Sequence, residues 1–415
     1  MHAGALSDYF NGVGTKVLKG TEIDPRVSNG HELQGVDNFR EFLGTPSDRQ
    51  SIPVTYVWLD DQNDHPIVLT LKGTWYDSRR GKSRSAEYRL YYPAASEDVV
   101  HRARAGDRLI LCQPKQGPLL AIFCPSGSSV EQQLLWLFGL EKNSESDLFQ
   151  IDLRTAHGRH LDFSARQVLE LINVEVVATE EQWLQRIITQ FGKGYPSTSE
   201  FSAFARKMAK HVDPIVDPDT ALATWMDFEE SLFRTLEQHL VGERLKCGFI
   251  NGDQPDVEEF LKFSLSVHNR RKSRAGYALA HHVEAVLVAH GLKFKREATT
   301  EKRNGPDFLF PDEHAYHDQT FPVTDLTMLG VKTTCKDRWR QVLAEANRIG
   351  RKHLLTFEPG ISQAQTSEMR RENLQLVIPK HLHESYAPEQ RNEILSFADF
   401  LDLVKAREPV CGAQI

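Results

Sequence analysis

The sequence predicts a two-part chain: a mainly β first half, then an α/β second half with a mixed central sheet and flanking helices. Three observations predict it. Up to about residue 175, short β-branched and aromatic runs are closed by Gly, Pro, Asp or Ser, the punctuation of strands and turns. Beyond about residue 176, apolar residues recur every three or four positions over long stretches, the period of amphipathic helices. Near the C-terminus, strand-like runs flank a helical segment, which reads as a crossover within one sheet. A length of 415 residues is too great for one ordinary domain, and two is the natural reading. The expected division is a β-rich domain over 1–175, a linker region over 176–200 where GKGYPSTS supplies turn chemistry, and a second domain over 201–415.

In chain order, IPVTYVWLDD, HPIVLTLKGTWYD, AEYRLYYP, DRLILCQP and PLLAIFCPSG read as strands, and SVEQQLLWLFGL and SARQVLELINVEVV as amphipathic helices. GVGTK at 12–16 only superficially suggests a phosphate loop, because it lacks the full glycine spacing and follows no clear strand. EEQWLQRIITQF, SEFSAFARKMAKHV, DPDTALATWMDFEESLFRTLEQHLV and DVEEFLKFSLSVHNRRKSRAGYALAHHVEAVLVAHG are helical, several opening on Ser, Asp or Thr caps. GLKFKREATTEKRNGPDFLFP reads as strand, polar turn and a strand carrying Asp307. TDLTMLGVKTT is the next strand, ending at Lys332, and a helix from Lys336 to about Ile349 leads to the buried strands of RKHLLTFEPG and LQLVIPKHL.

Hydrophobic residues make up 40% and charged residues 26%, which suits a folded globular chain and excludes a disordered or fibrous one. No apolar run is long enough to span a bilayer, and the N-terminus has neither the basic start nor the apolar centre of a signal peptide, so the expected compartment is the cytoplasm. Cys112, Cys124, Cys247, Cys335 and Cys411 form no C-x-x-C pair and are odd in number, against a disulfide framework or a zinc site. The net charge of -7 gives no global sign of nucleic acid, but binding is set by a local face rather than by the sum.

An Asp near one strand end and a Lys at the neighbouring strand end, with a further acid nearby, is the minimum set for metal-assisted phosphodiester cleavage. Asp307 and Glu345 offer hard oxygen ligands to a divalent cation such as Mg2+, and Lys332 is placed to act on a water or on charge at phosphorus. In the general Pro-Asp…acid-x-Lys pattern the second acid stands two residues before the lysine; here that slot is Gly330, so a replacement acid is required, and Glu345 is the candidate because it lies on the helix expected to follow the strand. Seven residues separate Glu345 from Arg338, which on an ideal helix leaves them only about 20° apart. One helix face would then present an acid to the metal and an arginine to the bases. Lys336, Asp337 and Arg338 suit base reading, since Arg takes two acceptors of guanine and Asp accepts from cytosine N4. By spacing alone the alternatives stay open: a turn-forming Pro-Asp, an edge-protecting lysine and a solvated charged helix face fit the same residues.

SVHNRRKSRAG, GPDFLFPDEHAYHD, FPVTDLTMLGVKTTCKDRWRQVLAEANRI and SEMRRENLQLVIPKHLHESY together resemble the C-terminal catalytic domain of the EcoRII family of type II restriction endonucleases. The resemblance implies a restriction-endonuclease-like (PD-(D/E)xK) core, Mg2+ dependence and dimeric cutting of double-stranded DNA. By matching position it implies Asp307, Lys332 and Glu345 as the catalytic set, Asp307 and Glu345 as metal ligands, Tyr316 beside them, and Lys336, Asp337 and Arg338 as readers of a CC(A/T)GG-like site. In GYALAHHVEAVL, Ala280 stands where family members can carry an acid, which leaves Glu284 a supporting role; His281 and His282 read as solvated or packed helix histidines. Arg270, Arg271 and Arg274, in a basic run before the helix bearing Glu284, are candidates to grip phosphate or probe the centre of the site.

More weakly, NGHELQG, WYDSRRGKSRSAEYRLYY and AIFCPSGSSVEQQLLWLFGL follow the order of the family's N-terminal effector-binding domain, which implies a DNA-binding pseudobarrel. Arg79, Arg80, Lys82, Arg84 and Arg89 form a basic hairpin-like segment beside Trp75 and Tyr76, able to enter a groove, and His31 is a further candidate contact with effector DNA. The resulting expectation is a homodimeric, Mg2+-dependent type II restriction endonuclease with a cognate cytosine methyltransferase, whose first domain binds a second copy of the target. Two rivals remain at this stage: a modification-dependent nuclease reading a methylated base through that domain, and a cleavage-inactive DNA-binding regulator.

Overall fold

The structure is a computed structural model and describes residues 5–28, 30–63, 65–140, 149–150, 161–176, 181–209, 212–251, 253–301, 305–335 and 338–408. The chain forms two compact units, Met1–Val176 with Pro359–Gln363, and Val177–Glu358 with Ala364–Ile415.

In the first unit, strands β1 (Phe10–Val17), β2 (Glu32–Gln34), β3 (Gln50–Trp58), β4 (Ile67–Asp77), β5 (Tyr88–Tyr91), β6 (Arg108–Pro114), β7 (Leu119–Cys124) and β8 (Phe149–Gln150) form one curled mixed sheet. Its order is β2-β5-β4-β3-β7-β6-β1-β8, and the single parallel pairing is β3 with β7. Apolar clusters lie on both faces. One gathers Val57, Ile110, Ile122 and the helices Ser129–Phe138 and Phe163–Leu171; the other gathers Val54, Tyr56, Trp75, Leu111 and Phe123. A strand covered on both faces needs apolar residues without alternation, which is why all of LLAIFC in β7 is buried. GVGTK lies inside β1, so its glycines are strand residues and no phosphate loop. Gly12 is required there, because an added Cβ would stand 2.4 Å from the Phe42 side chain.

The second unit opens with the helices Glu181–Phe191 and Thr198–Met208, so most of the stretch read as linker is helical. The helix Pro218–Cys247 begins at an Asp217 cap that accepts from the Thr220 N–H. Strands β9 (Ile250–Asn251) and β10 (Gln254–Pro255) turn the chain into the 33-residue helix Val257–Ala289. The basic run 268–274 lies within this helix rather than ahead of it, which is a correction to its reading as a preceding segment. The arginines there obey helical spacing, and Arg274 falls on the buried side.

The second sheet contains β11 (Lys295–Arg296), β12 (Phe308–Phe310), β13 (Thr327–Lys332), β14 (Lys352–Thr356) and β15 (Leu374–Val377), in sequence order. The β11, β12 and β13 pairings are antiparallel; β13 to β14 and β14 to β15 are parallel. Each parallel pair is joined through a helix, Trp339–Leu343 and Gln363–Arg371 respectively. No helix among the described residues is long and apolar enough to cross a membrane.

Candidate active site

Asp307 is the last residue before β12, and the antiparallel register Phe308↔Leu329 sets it beside the end of β13. Its Oδ2 accepts from the Val331 N–H at 2.7 Å and from Lys332 Nζ at 3.1 Å. Two residues far apart in sequence thus meet because two strands pair. The side chains are partly open, 31% exposed for Asp307 and 23% for Lys332. The Val331 amide fixes the carboxylate's orientation, a contact that side-chain pattern reading cannot find because it belongs to the backbone.

The glycine in the acid slot has a packing reason. A Cβ at Gly330 would stand 3.0 and 3.1 Å from the two methyls of Val342, on the helix Trp339–Leu343 that covers β13. The close approach that crowds a side chain at 330 also brings that helix tight against β13.

Glu345 is not on the helix. The helix ends at Leu343 with Ala344 as cap, and Ala346 has φ of +45°, so the chain turns at once. The shared helix face inferred for Arg338 and Glu345 is therefore corrected: Arg338 is the N-terminal cap, Glu345 lies past the C-terminal cap, and the 20° relation does not apply. The Glu345 carboxyl is partly buried and its Oε2 has no hydrogen-bond partner among the described residues. Burial pushes it up to about 7; the Asp307 charge adds to the rise, while Lys332 and Lys352 oppose it. Those charges place Glu345 within electrostatic reach of both Asp307 and Lys332.

Tyr316 is 2% exposed, and its hydroxyl donates to the Glu301 carboxylate at 2.7 Å and accepts from the Arg348 N–H at 3.2 Å. Burial, with the Glu301 charge beside it, pushes the phenol up to about 12. It is a neutral hydrogen-bonding group committed to the turn after Glu345, and among the described residues it makes no hydrogen bond to Asp307 or Lys332. Glu284 pairs with Arg296 Nη1 at 2.6 Å and lies 3.9 Å from His281 Nδ1. The adjacent His282 is fully buried, 3.0 Å from Glu229 and 3.1 Å from Arg206, a packed histidine whose protonation burial disfavours.

The candidate DNA contacts divide. Arg338 is exposed, whereas Lys336 and Asp337 lie outside the described residues. The link before them is anchored from β14 and beyond it: Thr356 Oγ1 donates to the Thr333 carbonyl at 3.3 Å, and the Cys335 N–H donates to the buried Glu358 carboxylate. Neither anchor was read from the sequence. Arg270 stacks over Tyr195 at 4.1 Å, and Arg271 donates to Glu237 at 2.6 Å. Arg274 is 8% exposed, lies over the rings of Phe201 and Phe233, and donates to the Pro196 carbonyl, so its reading as a DNA contact is corrected to an internal packing role.

In the first unit, Asp77↔Tyr88 closes the β4–β5 hairpin that carries the basic segment. Arg79 pairs with Glu87, Arg80 with Asp48, and Lys82 donates to the Ser78 carbonyl at 3.3 Å; Arg84 is exposed. His31, at φ +48°, lies 3.5 Å from Glu97 and close to the rings of Tyr91, Tyr92 and His101.

Among the described residues no cluster of three or more His, Cys, Asp or Glu forms a ready-made metal cage. The donor set is two carboxylates. An orphaned, half-buried Glu345 oxygen near a half-open Asp307 fits a hard cation that takes its remaining ligands from water and phosphate, as Mg2+ does.

The five-stranded mixed sheet with an Asp before one strand, a Lys closing the next and flanking helices defines a restriction-endonuclease-like core. Residues 233–401 match the family model described as EcoRII C terminal. The type II restriction enzyme EcoRII of Escherichia coli is 43% identical over 208 residues, 50% of this chain and 50% of that protein. Through this C-terminal region the chain is similar to the EcoRII family. It spans about half the length of that curated relative. Two solved structures are also similar. Metal-depleted Ecl18kI in complex with uncleaved DNA has 16% identity and a TM-score of 0.44, over 55% of this chain and 85% of that one. The restriction endonuclease PspGI–substrate DNA complex has 14% identity and a TM-score of 0.40, over 55% and 91%.

Proposed function

We propose that the chain is a type II restriction endonuclease, cutting double-stranded DNA site-specifically in a divalent-metal-dependent reaction. The observation that carries the reading is the Asp307–Lys332 pair with an unpartnered, half-buried Glu345 carboxyl within electrostatic reach. Asp307 and Glu345 would hold Mg2+, which when bound supplies charge stabilisation at phosphorus and a more acidic water. Lys332, held by Asp307 at a strand end, would orient the attacking water and stabilise charge on the phosphate oxygens. Tyr316, as a neutral donor and acceptor, supports the turn that bears Glu345. Glu284, paired with Arg296, would support the site only at a distance from the reacting atoms.

The finer reading follows the family. Lys336, Asp337 and Arg338 would read a CC(A/T)GG-like frame, with Arg270 and Arg271 near the phosphates. A near-palindromic site calls for a homodimer, each subunit cutting one strand, and for a cognate cytosine methyltransferase to protect the host. The first unit would bind a second, effector copy through His31, Arg79, Arg80, Lys82 and Arg84.

The test is digestion of matched methylated and unmethylated plasmids in Mg2+, with the ends sequenced. The expected products are double-strand breaks at one sequence, blocked by methylation. Asp307→Asn and Lys332→Ala should each lower the cleavage rate by at least about a hundredfold while metal-free DNA binding persists. Intact plasmid with retained specific binding overturns the nuclease reading, and cleavage confined to methylated plasmid replaces it with a modification-dependent one.

A further inference from the structure

The turn after Glu345 is held by far more than its length requires. Ala346 adopts a left-handed backbone (φ +45°), which costs an L-residue about 1 kcal/mol or more and persists only where the surroundings over-determine it. Here they do. The Ala346 N–H donates to Thr300 Oγ1 at 3.3 Å, the Asn347 N–H to Glu301 Oε2 at 3.1 Å, and the Arg348 N–H to the Tyr316 hydroxyl at 3.2 Å. On the opposite side, Lys352 Nζ donates to the carbonyls of both Glu345 and Ala346. Three consecutive amides and two carbonyls are thus answered by side chains from the segment after β11, the segment after β12, and the first residue of β14.

Lys352 is the costly member. It is only 5% exposed, so its ammonium is removed from water to cap two carbonyls, with the charges of Glu301 and Glu345 as compensation. A buried lysine is a poor way to end a five-residue helix if ending it were the only need, since an αL glycine at Ala346 would do so without strain. What this arrangement adds is a fixed direction for the residue just before the turn. Glu345 lies off β13, whose acid slot is Gly330 packed against Val342, so it cannot rely on that strand for its position.

We infer that Lys352 and Glu301, bridged to each other through the 345–348 turn and to Tyr316, are positioning residues that hold Glu345 at the Asp307–Lys332 end of the sheet for metal binding. The inference rests on the nuclease reading and deepens it by assigning a support to its displaced acid. Neither residue touches the reacting groups; both act through Glu345. Support of this kind around a metal ligand typically changes metal affinity by about tenfold to a hundredfold.

The experiment uses the full chain. Lys352→Met keeps the apolar stem and removes the ammonium; Glu301→Ala, at an exposed position, removes the acceptor of Tyr316 and of the Asn347 amide. Two readouts are taken for each: Mn2+ binding followed by the electron paramagnetic resonance of free Mn2+, and the Mg2+ concentration for half-maximal plasmid cleavage. The expected result is that both variants weaken Mn2+ binding and raise the Mg2+ requirement by about tenfold or more, with metal-free DNA binding within about twofold of wild type. In a Glu345→Gln background the same substitutions should leave Mn2+ binding unchanged, because the group they position is gone. Folded variants that bind Mn2+ as wild type does overturn the inference while the nuclease reading stands. If Lys352→Met does not fold, Glu301→Ala decides the matter alone. A wild-type chain that neither cuts plasmid nor binds Mn2+ rejects the nuclease reading, and the inference with it.

Discussion

Two carboxylates of the β-rich unit, Glu22 and Glu131, and one of the second unit, Glu345, are treated in opposite ways. In the β-rich unit Glu22 is 4% exposed, yet Oε1 accepts from Lys16 Nζ and the Gln34 N–H at 2.6 Å each, and Oε2 from the Lys19 N–H at 2.9 Å. Glu131, fully buried, is likewise answered at both oxygens, by Arg108 Nε at 2.8 Å and the Gly127 N–H at 2.7 Å. In the second unit the backbone around Glu345 is saturated with hydrogen bonds while Oε2 of its carboxyl has none. Burying an ionisable oxygen without a partner is unfavourable, so at Glu345 the fold accepts a cost at the side chain while it fixes the main chain on either side. A saturated acid is part of the scaffold; an unsaturated one on a rigid support is a candidate for chemistry.

This contrast can be broken by measurement. The largest effect on stability should come from Glu22→Ala, which leaves the buried Lys16 ammonium uncompensated and should cost about 3–5 kcal/mol, read from the urea midpoint. Glu345→Gln should do the reverse. Its carboxyl is pushed up to about 7 from an ordinary value of 4.5, so above pH 7 the native state carries a charge that its buried surroundings disfavour. Folding is weakened most above pH 7, and the penalty fades as pH falls through 7 and is gone below about 4.5. The glutamine variant should therefore be about 1–3 kcal/mol more stable than wild type at pH 8 and equal to it at pH 4.5, while losing cleavage. A glutamine variant less stable than wild type at pH 8 would place Glu345 with Glu22 as a scaffold acid. The smallest effect is expected for Gly330→Ala, about 1 kcal/mol of destabilisation from the crowding of Val342, relieved by Val342→Ala in the same chain and measured by thermal unfolding.

The legible parts of the fold are those where one local pattern decides the outcome. Strands β3 to β7 carry β-branched or aromatic runs between turn residues, and each appears where that pattern predicts. Strand β1 does not, because FNGVGTKV holds two glycines and a lysine, and it is a strand only through its pairing with β6. The basic run 268–274 shows the same limit inside a helix. Its spacing gives helical character, but only the packing of Phe201 and Phe233 around Arg274 shows which arginine is internal.

At the candidate site, the Pro-Asp step before an apolar strand and a lysine closing the next are sequence features, and strand pairing brings them together at 3.1 Å. Glu345 was chosen by elimination of the Gly330 slot, but the geometry first attached to it, a continuous helix with Arg338, does not exist. The cause is a left-handed alanine, a conformation that no residue pattern at 339–349 announces. Thr300, Glu301 and Lys352 carry no such mark in the sequence for a related reason. Each is an ordinary polar residue whose role comes from main-chain atoms distant in sequence, and backbone partners leave no mark in composition or period.

The sequence by itself determined the order of strands and helices, the division into a β-rich and an α/β half, and the residue types available for phosphodiester chemistry, because these follow from local propensity and hydrophobic period. Only the tertiary structure decided that Glu345 lies beyond the helix, how the chain around it is held, and which arginine turns inward. Those outcomes depend on close packing and on hydrogen bonds between segments far apart in the chain, and such contacts are selected only once the sheet has assembled.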